Sequence, residues 1–137
     1  MSASSPARTA LIAGHSQGEA QLVRGLLRRL GVQEVRTAAD GAEAVAAMTS
    51  RPPDLLVLDW NIRSTPADMV VKAAREKREA GPRILLTMEA PTRGMLAAAV
   101  DLAVDSVVAK PFSPSAFMDR VPGRFVRKEA GREARVT

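Results

Sequence analysis

The chain predicts a doubly wound α/β domain, a five-stranded parallel sheet flanked by helices on both faces. Three observations carry that expectation. Short apolar runs alternate five times with segments of helical periodicity. The middle run, Leu55-Leu56-Val57-Leu58, is unbroken, as a central strand buried on both faces should be. Gly and Pro punctuate the joins between segments.

Thr9 to Ala13 reads as the first strand and ends in Gly14-His15. Gln17 to Leu30 follows as a helix whose inner stripe is Leu22, Val23, Leu26, Leu27 and Leu30, with Arg24, Arg28 and Arg29 outward. Gly31 is placed to stop it. Val32 to Ala38 is a more polar second strand turning at Asp40-Gly41, and Ala42 to Ser50 an alanine-rich helix ended by Pro52-Pro53.

Asp54 to Asp59 forms the third strand. Asp68 is the expected N-cap of a helix reaching Ala80, stopped by Gly81-Pro82, with Lys72, Arg75, Lys77 and Arg78 on its solvent face. Arg83 to Thr87 is the fourth strand. Thr92 to Ala103 is a helix expected to turn Met95, Leu96, Ala99 and Val100 inward. Ser106 to Ala109 is the fifth strand, and Ser113-Pro114 supplies an N-cap and a first-turn proline for a last helix cut short by Pro122-Gly123. The expected organisation is a tail over 1–7, one domain over 8–122 and a basic tail over 123–137.

Composition narrows the function classes. At 137 residues and 46% hydrophobic the chain can bury one core. It has no cysteine, so disulfides and thiolate metal sites are excluded. No apolar run reaches membrane-spanning length and Met1 to Pro6 carry no secretion signal, so no membrane insertion and a cytoplasmic address are expected. The net charge of +5 is concentrated in Arg120–Thr137, where six basic residues face two acidic ones. That is a small electrostatic footprint, and with no recognition helix DNA is not an expected partner.

Chemistry-bearing residues fall at the strand ends. Asp59, Thr87 and Lys110-Pro111 each close an apolar run. Strands of a parallel sheet finish on one edge, where open α/β folds place their sites, so an acid, a hydroxyl and a cation are expected to converge. Gly14, Gly18 and Gly31 make no phosphate-cradling loop, and His15 with any serine lacks the placed acid of a hydrolytic triad. The chain is therefore not expected to be an enzyme in the usual sense.

Leu55-Leu56-Val57-Leu58-Asp59-Trp60-Asn61, Leu86-Thr87 and Lys110-Pro111-Phe112 resemble the three signature segments of the bacterial response-regulator receiver domain, in forms most similar to the CheY-like chemotaxis receivers. Leu26 to Gly31 and Ala39 to Ala44 fit the same pattern, and the resemblance spans roughly 8–122. It implies the CheY-like (βα)5 fold and a phospho-switch. Asp59 would accept a phosphoryl group from a histidine kinase or phosphotransfer protein, Thr87 would contact it, Lys110 would pair with it, and a downstream protein would read the change. It also implies that a homodimer through the fourth- and fifth-helix face is compatible with the chain.

The chain departs from the family at several positions. Two acidic residues that hold Mg²⁺ with the acceptor are replaced by Gly14 and His15. Mg²⁺ requires hard oxygen ligands, so its binding is expected to be weak or absent. Glu19 is the nearest replacement carboxylate. Arg63, on the loop after Asp59, is a candidate substitute for the missing positive charge. Met88 is larger than the residue usual after the switch hydroxyl and is expected to crowd the site. Val107 stands at the output relay position, which is usually aromatic.

The leading expectation is a stand-alone atypical receiver acting by protein contact, with weak, metal-independent or absent phosphorylation of Asp59. A conventional phosphoaccepting receiver is the first alternative. The second is an effector binding a cyclic dinucleotide through Arg124-Phe125-Val126-Arg127-Lys128, where guanidinium groups suit phosphates and Phe125 a base.

Overall fold

A computed structural model describes residues 8–76 and 81–122. Five strands, β1 (Thr9–Ala13), β2 (Glu34–Ala38), β3 (Leu55–Asp59), β4 (Arg83–Glu89) and β5 (Ser106–Lys110), form one parallel sheet in the order β2-β1-β3-β4-β5. Between and after them lie α1 (Gln17–Arg29), α2 (Gly41–Ser50), α3 (Ala67–Glu76), α4 (Arg93–Asp101) and α5 (Pro114–Arg120). This is the expected five-stranded α/β architecture.

Strand alternation divides the core in two. Leu55 and Val57 pack with Val23, Leu26, Leu27 and Phe117 of α1 and α5. Leu56 and Leu58 pack with Ala44, Val70, Val71 and Ala99 of α2, α3 and α4. All five residues of β3 are buried, which accounts for its unbroken apolar character.

Several local expectations are corrected. Asp68 lies inside the first turn of α3 rather than capping it: the helix starts at Ala67, with the Pro66 carbonyl accepting from Met69 and Val70. The expected end of that helix at Ala80, with Lys77 and Arg78, falls outside the described residues. Thr92 caps α4 instead of belonging to it. Of the stripe assigned to α4, Ala99 is buried and Met95 packs against the core, whereas Leu96 and Val100 are exposed. The helix is short and meets the sheet over a narrow strip, so alternate apolar positions remain in solvent. Leu22 on α1 is likewise exposed.

Candidate functional site

Asp59 and Thr87 are register partners on β3 and β4, and Lys110 ends β5. Burial is deep: Asp59 is 5% exposed and Thr87 0%. Thr87 Oγ1 donates to Asp59 Oδ1 at 2.8 Å. Lys110 Nζ lies 2.8 Å from the same oxygen. The Asn61 N–H donates to Asp59 Oδ2 at 3.1 Å. Both carboxylate oxygens are thus held by donors of the protein itself.

Two more residues join this cluster. Ser16 and Glu19 form a capping box at the start of α1: the Ser16 hydroxyl accepts from the Glu19 N–H, and Glu19 Oε1 accepts from the Ser16 N–H. That arrangement leaves Glu19 Oε2 free to take Lys110 Nζ at 3.1 Å. The ammonium therefore bridges two carboxylates. From the sequence, Glu19 stands out only as a replacement carboxylate for a metal. The Ser16-Gln17-Gly18-Glu19 capping pattern was the signal that fixes its side chain, although nothing in the pattern points to Lys110.

His15 also reaches into the site. Its Nε2 is 2.9 Å from Thr87 Oγ1. Its Nδ1 is buried with no hydrogen-bond partner among the described residues. Beside it, Gly14 adopts φ +89°, and a Cβ built there would stand 2.8 Å from Ile62 Cγ1. Ile62 is buried in the core on the α2–α4 side of the sheet. Its side chain thus fills the space next to Gly14 that any residue with a Cβ would need.

These contacts shift titrations in understandable ways. Burial holds the His15 imidazole below its ordinary range; the Asp59 and Glu19 carboxylates oppose this without reversing it. The Ala13 carbonyl lies near enough to lift it slightly, yet does not meet hydrogen-bond geometry with Nδ1. For Lys110, burial works against the charge, but Asp59 and Glu19 together outweigh it and hold the ammonium above its ordinary range. Burial likewise pushes Glu19 up, while the Ser16 N–H and Lys110 pull harder and leave it below the usual carboxylate range.

Arg63 is not placed to supply charge at Asp59. Its side chain is exposed, and its carbonyl is tied to the N–H groups of Gly41 and Thr65. Gly41 permits this: a Cβ there would collide with the Thr65 backbone. The cation beside Asp59 is Lys110. Met88 is fully buried and packs in the core on the α2–α4 side, so its bulk is absorbed there rather than over the site. Val107 packs partly buried against the same side, and its carbonyl accepts from Arg120. Arg124-Phe125-Val126-Arg127-Lys128 falls outside the described residues.

Comparison with known proteins decides the family, since the response regulator receiver domain matches residues 10–122. The chain belongs to that family. It is 29% identical over 109 residues to the chemotaxis protein CheY of Pseudomonas aeruginosa, covering 78% of this chain and 87% of the relative. It is 34% identical over 109 residues to the transcriptional regulatory protein PrrA of Mycobacterium tuberculosis, covering 80% of this chain but 46% of that longer protein. Among solved structures, the chemotaxis response regulator CheY4 of Vibrio cholerae superposes with a TM-score of 0.75 at 25% identity, over 88% of this chain and 100% of the other. A response regulator structure from Chloroflexus aurantiacus gives 0.76 at 26% identity, over 88% and 98%. The chain is therefore a CheY-like receiver, a module of two-component signalling, and such receivers work with histidine kinases or phosphotransfer proteins and with downstream effectors. No described helix is long and apolar enough to cross a membrane.

Proposed function

We propose that this chain is an atypical receiver that acts mainly through protein contact, with phosphorylation of Asp59 weak, metal-independent or absent. The observation that carries the reading is the occupancy of Asp59. Lys110 and Thr87 both sit 2.8 Å from Oδ1 and the Asn61 N–H engages Oδ2, so the contacts a phosphoryl group would recruit are already made to the bare carboxylate.

The donor set at the end of β1 is a poor match for Mg²⁺. Gly14 brings no ligand, Ile62 fills the space beside it, and His15 offers an imidazole nitrogen already facing Thr87. Mg²⁺ takes six oxygens in near-ideal octahedral geometry, and Lys110 places a competing charge on Asp59. On this reading Mg²⁺ binding is weak or absent. Phosphoryl transfer to a carboxylate rests on positioning and charge neutralisation, so a small phosphodonor has little to work with.

The conventional reading keeps one observation in its favour: acceptor, hydroxyl and lysine do converge, and a kinase contributes positioning of its own. Intact-mass measurement after incubation with Mg²⁺ and acetyl phosphate separates the two, with Asp59→Asn as control. The atypical reading expects no added phosphoryl group. A gain of one in the parent alone establishes the conventional switch.

A further inference from the structure

We infer that His15 is a positioning residue whose Nε2–H holds the Thr87 hydroxyl against Asp59, so that the switch hydroxyl is latched without a phosphoryl group. The inference deepens the atypical reading and rests on it only for the absence of phosphate as the trigger.

Counting protons fixes the direction of each bond to Thr87 Oγ1. Thr87 Oγ1 lies 2.8 Å from Asp59 Oδ1 and 2.9 Å from His15 Nε2. A hydroxyl has one proton and two acceptor lone pairs, whereas a carboxylate only accepts. The Thr87 proton is therefore committed to Asp59, and the bond to His15 must run the other way, from Nε2–H to Oγ1. That selects the Nε2–H tautomer and leaves Nδ1 as a bare lone pair, which is the atom found buried without a partner among the described residues. The selection rests on the two bonds of Thr87 Oγ1, to a carboxylate that can only accept and to His15 Nε2.

The consequence follows from geometry. Thr87 is on β4 and its side chain is fully buried, with partners on β3 and on the β1–α1 loop. Its hydroxyl is gripped from both sides, by an acceptor on Asp59 and a donor on His15. Without the donor, one rotamer would keep a single hydrogen bond and others would compete with it. With it, one χ1 well satisfies both. The Thr87 carbonyl accepts from the Trp60 N–H at 2.9 Å, so the same clamp borders the loop that carries Trp60, Asn61 and Ile62. His15 stands at a position where the family places a metal ligand, and here it serves the switch hydroxyl instead.

The chain contains a single histidine, which makes the test direct. Long-range ¹H–¹⁵N correlation of the full chain near neutral pH is expected to show Nε2 protonated and Nδ1 unprotonated. Methyl NMR is expected to report one Thr87 rotamer in the parent. His15→Gln, whose amide nitrogen can occupy the Nε2 position, is expected to keep that rotamer. His15→Asn, equally polar but too short to reach, is expected to lose it to rotamer averaging. An Nδ1–H tautomer in the parent, with Nε2 accepting from Thr87, overturns the inference. So does a Thr87 methyl signal that stays the same in His15→Asn. Neither readout depends on phosphorylation, so failure here is separate from a gain of phosphoryl mass.

Discussion

Replacing Gly14 with alanine is the smallest change that asks whether the end of β1 has room for a side chain. Two costs add. At φ +89° an L-residue with a Cβ is strained, which typically costs about 1–2 kcal/mol. The new Cβ would also stand 2.8, 2.9 and 3.0 Å from three atoms of Ile62, and overpacking of a filled core costs about 1–3 kcal/mol. The expected loss is therefore roughly 2–5 kcal/mol, against a total of about 5–15 kcal/mol for a domain. At this size each kcal/mol lowers Tm by about 4 °C, so a drop of roughly 8–20 °C is expected. Urea unfolding followed by circular dichroism measures the free-energy loss and a thermal melt the drop in Tm, with Ile62→Ala as the second arm. That variant alone creates a cavity, but it removes the collision, so Gly14→Ala should cost only the backbone part in its background. The coupling between the two sites should be about 1–3 kcal/mol. A loss below about 1 kcal/mol, or equal losses with and without the Ile62 side chain, would refute the claim that this position is sterically closed.

Further outcomes are expected from the same geometry. Lys110→Met should destabilise by about 3 kcal/mol, because Asp59, with 8% of its side chain exposed, loses its cation; denaturant unfolding and a double-mutant cycle with Asp59→Asn measure it. Glu19→Gln should cost less than about 1 kcal/mol in the same assay, since its carboxylate is partly solvated. Acid should weaken the fold in two stages. The His15 pKa is depressed below the unfolded value of 6.5, so the unfolded chain binds the extra proton first and stability declines as pH falls from about 6.5 toward the folded pKa. Glu19 is depressed below 4.5 and adds a second decline below that value. His15→Gln should remove the first stage and keep the second, as read from Tm against pH. Val100→Ala should change stability by less than about 0.5 kcal/mol, because the side chain is exposed, whereas Phe117→Ala should cost about 3–5 kcal/mol.

What the sequence made legible follows physical range. β3 was readable because five consecutive buried residues leave a continuous apolar run, and α5 because Ser113 and Pro114 mark its start locally. The convergence of Asp59, Thr87 and Lys110 was readable because a parallel sheet gathers its strand ends on one edge. The wiring was not. Lys110 meets Glu19 across 91 positions and His15 meets Thr87 across 72, and no local pattern encodes such pairings. Arg63 looked suitable because it is near Asp59 in sequence, but loop proximity does not fix a side chain, and its backbone is tied to Gly41 instead. Leu96 and Val100 satisfied helical periodicity, yet the stripe that periodicity defines is wider than the strip α4 buries.

The central claim is that the protein's own side chains complete this site in place of a metal. Trp60, the chain's single tryptophan, follows Asp59 directly; its backbone N–H donates to the Thr87 carbonyl at 2.9 Å and its side chain packs partly buried against the core on the α2–α4 side, so its fluorescence reports on this end of β3. Titration of the full chain with Mg²⁺ into the millimolar range, at constant ionic strength, is the most direct test. The account predicts no saturable change in Trp60 emission, and the same flat response from Asp59→Asn. A saturable change in the parent that Asp59→Asn abolishes would show that Mg²⁺ displaces Lys110 from Asp59, and would contradict it.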